Sequence, residues 1–245
     1  MIPFFRKIRK RMADDNRPLK YMRYAIGEII LVVIGILIAL QINNWNSERK
    51  ERTKEQYYLK SIKTSIDLSQ EELNRVTRDA KLIYTSADTL FLLLAHGKFE
   101  QLNGFTLDTL LNNSRDYSLI SLNDGGIKEI LNTGTLNVIQ DEKIRIILAS
   151  WDERFHKIRK FESETEYISK SYNEYLMDYF DFSRYEIGER SGIIPEKKQH
   201  LLTDPKLRNF LDKIFGVHKE MYEKYNEEKK MLDSLSVLVN QHILK

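Results

Sequence analysis

One carboxylate stands in the most apolar run of the chain. In YAIGEIILVVIGILIALQINNW, residues 24–45, Glu28 is the only charged side chain. Carboxylates inside a membrane segment mark helix–helix hydrogen bonds or ion paths. At 100° per residue, Glu28, Gly35 and Ala39 fall within about 40° of one another on a helix. Gly35-x-x-x-Ala39 is a small-xxx-small pair that admits a second helix, and the carboxyl on the same face would hydrogen-bond to it. The same residue lies about one turn, roughly 6 Å, from Tyr24, close enough to snorkel to the interface. A third reading is proton transfer beside a partner, because one membrane helix cannot build an ion path alone.

Other chemistry is sparsely represented. There is no cysteine, which removes thiol catalysis, disulfides and thiolate metal sites. The five histidines, His96, His156, His200, His218 and His242, include no His-x-x-x-His pair that would set two ligands on one helical face. Neither a phosphate-cradling glycine loop nor a Gly-x-Ser-x-Gly elbow is present. Acidic pairs such as Glu71-Glu72 and Glu227-Glu228 read as solvated helix faces. The expectation is a non-enzymatic protein with no catalytic, cofactor-binding or metal-binding residues. A tyrosine-rich stretch, Tyr167, Tyr172, Tyr175, Tyr179, Phe180, Phe182 and Tyr185, offers a recognition surface through Tyr172, Tyr175, Tyr179, Phe182 and Tyr185. Its largely helical spacing equally suits a bundle core with hydroxyls at the rim.

These residues need elements to hold them. A bilayer core needs about 20 helical residues, so residues 21–45 predict a transmembrane helix. A cleaved signal peptide is the rival, but Leu40, Gln41, Ile42, Asn43, Asn44 and Trp45 stand where a small-x-small cleavage site would follow. Of the 39 basic and 36 acidic residues, eight and two fall within residues 1–23, which leaves 31 against 34 and a net of −3. Such a body is a poor nucleic-acid binder. The basic flank assigns the N-terminus to the cytoplasm and residues 46–245 to the outside. Tyr21, Tyr24 and Trp45 match interfacial aromatic belts. The start, MIPFFRKIRKRM, sets Phe5, Ile8 and Met12 largely opposite Arg6, Lys7 and Lys10. Residues 1–20 therefore read as an interfacial helix or a disordered basic tag, with residues 6–23 meeting anionic lipid headgroups.

Three stretches carry a resemblance. FFRKIRKRM, YAIGEIILVVIGILIALQINNWN and GGIKEILNTGTLNVIQDEKIRIIL resemble an uncharacterised family of bacterial single-pass membrane proteins. Its members share a basic start, a GEI-type membrane helix ending in QINNWN and a helical extracytoplasmic region. The likeness covers residues 4–46 and recurs around 125–148. It implies a topology, with the body in the periplasm and the span in the inner membrane, and implies no activity.

Only 10 Gly and 4 Pro punctuate 245 residues, which favours long helices. Leu59, Ile62, Ile66, Ser69, Leu73, Val76, Ala80, Ile83, Ala87, Leu90 and Leu94 keep an unbroken 3-4 spacing, a coiled-coil-like seam. It predicts a helix over about 46–96 with no stop between it and the span. A second helix, about 141–181, has Ile144, Leu148, Trp151, Phe155 and Ile158 inward. A third, about 205–243, opens at Asp204-Pro205 and carries Leu207, Leu211, Ile214, His218, Met221, Tyr225, Glu228, Leu232, Leu235 and Val239. Short helices are expected at Leu107 to Asn113 and Ile127 to Leu131, the latter capped by Asn123-Asp124. His218 and Glu228, which interrupt the third seam, are expected at the bundle edge, with a register-setting role as the alternative.

The fold class is all-α: a single transmembrane helix continuing into a long helix of an elongated extracytoplasmic bundle. The leading functional expectation is a membrane-anchored scaffold or partner-binding protein, homo-oligomeric through its membrane helix and bundle, with a membrane protein as a further partner. The alternatives are an extracytoplasmic ligand-sensing module and an accessory or stator-like subunit of a transport complex using Glu28.

Overall fold

A computed structural model describes residues 18–98, 104–183 and 191–243. The basic start before Pro18 and Tyr185 lie outside the described residues. The chain divides into two compact units, residues 1–55 and 56–245.

Helix α1, Pro18–Ala95, begins with Pro at its first position, where the missing N–H costs nothing. It contributes to both units. Its end is a Schellman turn on Gly97, φ +65°, with Lys98 N donating to the Leu93 carbonyl at 3.0 Å and Gly97 N to Leu94 at 3.3 Å. Within the first unit the residues from Ile29 to Lys54 are exposed. Within the second, every position of the seam from Leu59 to Leu94, Ser69 included, is buried.

The second unit continues with α2 (Gly104–Ser114), α3 (Gly125–Asn132), a 3-10 turn (Leu136–Val138), α4 (Glu142–Ala149), α5 (Trp151–Leu176), a 3-10 turn (Pro195–Lys197), α6 (Lys198–Thr203) and α7 (Pro205–His242). The described residues hold no strand, only an isolated antiparallel bridge between Phe180 and Ile193. The fold is all-α.

Local chemistry explains the boundaries. Asp141 caps α4 by accepting from Ile144 N at 2.9 Å, and Asp204 caps α7 by accepting from Lys206 N at 2.8 Å ahead of Pro205. The expected Asp124 cap does not form. Its carboxylate instead accepts from the Trp151 indole N–H at 2.7 Å, while its backbone carbonyl takes Ile127 N and Lys128 N. Where one helix was expected across 141–181, Ser150 (φ −87°, ψ 1°) separates α4 from α5. The guanidinium of Arg154 compensates by donating to the freed Ile147 carbonyl at 2.7 Å and to Ser150 Oγ.

Glycine matters most at α3. A Cβ on Gly126 would lie 2.5 Å from the Ser61 carbonyl oxygen, because the first turn of α3 presses directly on α1. Ser65 Oγ accepts Gly126 N there at 3.0 Å. Gly125, one residue earlier, has nothing within 4 Å of such a Cβ.

Two apolar cores form. The larger gathers Leu59 to Ala80 of α1, Ile127 and Ile130 of α3, Ile144 to Ile158 of α4 and α5, and Met221 to Val239 of α7. The smaller gathers Ile83 to Leu94 of α1, Leu107 and Leu111 of α2, Tyr172 to Leu176 of α5, Leu201 and Leu202 of α6, and Leu207 to Ile214 of α7. His218 and Glu228, expected at the edge, are buried at 2% and 5% exposure. Each has a partner: Ser169 Oγ lies 3.2 Å from His218 Nε2, and Arg154 Nε donates to both oxygens of Glu228 at 3.0 Å. Pairing is what makes the burial tolerable.

Candidate functional site

Three groups of residues carry the candidate chemistry. In the first unit, Gly35 and Ala39 are exposed on α1, and an added Cβ at Gly35 would meet nothing within 4 Å. Glu28 is half-buried on the same helix. Helix α1 is the one described helix long and apolar enough to cross a membrane, and its most apolar window is entirely unburied.

The tyrosine-rich stretch divides. Tyr172 and Tyr175 take the core position that their spacing allows, with burial pushing both phenols up. Tyr175 donates to Asp204 at 2.7 Å, and its ring lies 5.3 Å from Phe210 with Lys206 Nζ 5.1 Å above it. Tyr179 and Phe182 are half-buried: Tyr179 stacks on the exposed His200 ring at 5.8 Å, and the Arg115 guanidinium lies 4.2 Å over Phe182. Tyr167 is 72% exposed, apart from the group.

The third group was not foreseen from sequence. Residues 115–124, connecting α2 to α3, run without regular structure across the bundle as a strap. An extended segment has main-chain donors and acceptors with no helical partner, and each needs another. Helix side chains supply them. Asn173 Nδ2 donates to the Arg115 carbonyl at 2.9 Å and Ser169 Oγ to Asp116 at 3.1 Å. Tyr225 OH lies 3.3 Å from the Ser118 carbonyl, sharing its one proton between that oxygen and a nearer carboxylate, and Arg75 Nη2 donates to Leu119 at 3.0 Å. Glu162 accepts from Ile120 N at 2.6 Å and Glu72 from Ser121 N at 2.8 Å.

Glu162 is the centre of this arrangement. It is 1% exposed and also accepts from Tyr225 OH at 2.6 Å and Arg159 Nη1 at 3.0 Å. Burial, then the nearby Glu162 charge, raises the Tyr225 phenol. At the strap's edge the Arg75 guanidinium holds the Glu72 carboxyl below its usual range, aided by Ser121 N–H and opposed by partial burial. Burial lowers His218 to about 4, which keeps the imidazole neutral, and raises Glu228 despite the Arg154 charge beside it. The legible signal was that Glu162, Thr165 and Ser169 occupy inward positions continuing the 3-4 spacing of Phe155 and Ile158.

Chemically, the network binds a peptide main chain, the protein's own. Glu153 and His156 share α5 at Glu-x-x-His spacing, but the Glu153 carboxylate is engaged by Lys157 at 2.6 Å. Among the described residues no three His, Cys, Asp or Glu side chains group as metal ligands.

A family of unknown function, DUF6090, matches residues 28–182, which takes in the apolar segment of α1, the strap and α5. Comparison with curated proteins and with solved structures finds no match.

Proposed function

The chain belongs to the DUF6090 family of unknown function, and from that premise we propose that it is a membrane-anchored helical scaffold or partner-binding protein of the bacterial inner membrane. Its N-terminus is cytoplasmic and residues 46–245 are periplasmic, by the charge asymmetry around the span. Residues 6–23 meet anionic headgroups. It works without catalysis, and it associates with a second copy through the α1 face that bears Glu28, Gly35 and Ala39.

One observation supports this reading most: the apolar segment of α1 is unburied, while the same helix farther on supplies the seam of a packed core. Unburied apolar surface of that extent calls for lipid or another helix. Gly35 leaves room for close approach by a second helix.

Cross-linking in membranes tests the association. Gly35→Leu is expected to weaken the oligomer by holding the helices apart. Glu28→Gln should retain most of it, since an amide still hydrogen-bonds, and Glu28→Leu should cost about 1 kcal/mol. A monomeric wild-type protein, or normal assembly of Gly35→Leu, overturns the interface.

A further inference from the structure

The two apolar cores are separated by a polar layer. On α5 the buried residues between Ile158 of the larger core and Tyr172 of the smaller are Glu162, Thr165 and Ser169. On α7, between Ile214 and Met221, they are Val217 and His218. The strap crosses at the same level, with Asp116 and Ser118 bound to Ser169 and Tyr225. Helix α1 differs, because its seam passes from Ala80 to Ile83 without a polar step, flanked by the buried hydroxyls of Thr77 and Ser86. At the rim Tyr84 bridges the cores through Phe215 at 6.1 Å and Tyr222 at 5.5 Å between ring centroids.

Apolar burial resists opening in proportion to the area that water would regain. Polar contacts resist less, because water replaces the hydrogen bonds that parting breaks, and the net value of each is small. A bundle whose apolar contacts thin at one level, on α5 to the half-buried Phe161 and Ile168 and on α7 to Val217 and the half-buried Phe215, therefore has its weakest plane there. Helix α1 holds both sides through its own ladder and its uninterrupted seam.

We propose that this layer divides the bundle into two cooperative units on a common α1. The smaller core, carrying α2, the end of α5, α6 and the first part of α7, opens as a unit while the larger core stays closed. Such opening presents Leu90, Leu94, Leu107 and Leu111, all buried in the closed state, as an apolar surface. This is a conformational device built into the fold, independent of the proposed membrane association.

Native-state hydrogen exchange of the full chain in lipid nanodiscs, followed by mass spectrometry across low denaturant concentrations, tests it. Amides of 104–114, 172–176 and 198–214 should share one opening isotherm, with protection about tenfold or more below that of 151–158 and 221–239. His218→Leu, which extends apolar packing through the layer, should narrow the gap to about threefold or less. Thr165→Val is the second variant, because the Thr165 hydroxyl donates to the Glu162 carbonyl of its own helix and its replacement leaves no strap group unpaired. A single isotherm for both cores in the wild type, exchange that grades inward from Thr203 with no shared isotherm, or a gap unchanged in whichever variants fold would each overturn the proposal.

Discussion

Two adjacent glycines should respond to alanine with opposite signs. At Gly126 the added Cβ would sit 2.5 Å from the Ser61 carbonyl oxygen, whereas ordinary contact begins at 3.4 Å. Helix α3 must therefore move off α1 by about 0.9 Å, and a gap of that size forfeits a quarter to a half of the dispersion well along the contact. The side chains most affected are Ile127 and Ile130, both fully buried. Each is worth about 1.5–3 kcal/mol on burial, so losing a fraction of both comes to about 1–3 kcal/mol, the range usual for overpacking. The Ser65 bond to Gly126 N lengthens as well. At Gly125 the same methyl meets nothing within 4 Å, and alanine should stabilise by about 0.4–1 kcal/mol through the entropy of the unfolded chain. Urea unfolding of the full chain in detergent, read by far-UV circular dichroism, measures both. Equal effects at the two positions, or a Gly126→Ala variant as stable as the wild type, would refute the close approach of α3 to α1.

Further expectations concern the polar groups and the topology. Glu162→Leu removes the acceptor of buried Ile120 N and of Tyr225 OH and should cost about 2–5 kcal/mol, whereas Glu162→Gln, which keeps an acceptor, should cost about 1; the same unfolding assay compares them. His218 is held neutral down to about 4 against 6.5 unfolded, so the unfolded chain takes up the proton first as pH falls. Its contribution is complete above about 6.5 and is lost by about pH 4, a change of about 3 kcal/mol. Glu228, raised by burial, binds its proton first in the folded state and offsets part of that loss. Unfolding midpoints across pH should therefore show a gap between wild type and His218→Gln that shrinks toward acid pH; a constant gap would refute the assignment. A reporter fused after Lys245 should be active only if it works outside the cytoplasm, and cytoplasmic activity with basic residues 6–23 intact would reverse the orientation.

Much of the helical order was legible because it follows from periodicity. The seam from Leu59 to Leu94 is read directly from its 3-4 spacing, and every member is buried. Asp204-Pro205 announced α7 through the chemistry of a cap and a first-turn proline. What escaped was whatever depends on a partner far along the chain. Edge placement looked natural for His218 and Glu228 because burying polar groups is costly; their partners Ser169 and Arg154 lie 49 and 74 residues away. The break at Ser150 carries no Gly or Pro and depends on Arg154 reaching back to Ile147. The strap has no sequence signature of its own, since its main chain is held by side chains of α1, α5 and α7. Of the candidate site, the shared face of Glu28, Gly35 and Ala39 is an expectation from helical spacing alone, whereas Glu162 looked like one more acidic residue on a charged helix.

The strap constrains length more tightly than composition. Six main-chain groups between Arg115 and Ser121 are each matched to a different side chain on three helices, so one inserted residue would displace those beyond it by about 3.3 Å and break the correspondence at once. Leu119 and Ser121 are exposed, where their side chains are free to change, whereas the equally exposed Asp116 accepts from Tyr117 N at 2.9 Å. Homologous sequences should therefore vary in letters and hold constant in number across this connection, and labels or epitopes belong there as substitutions, never as added residues.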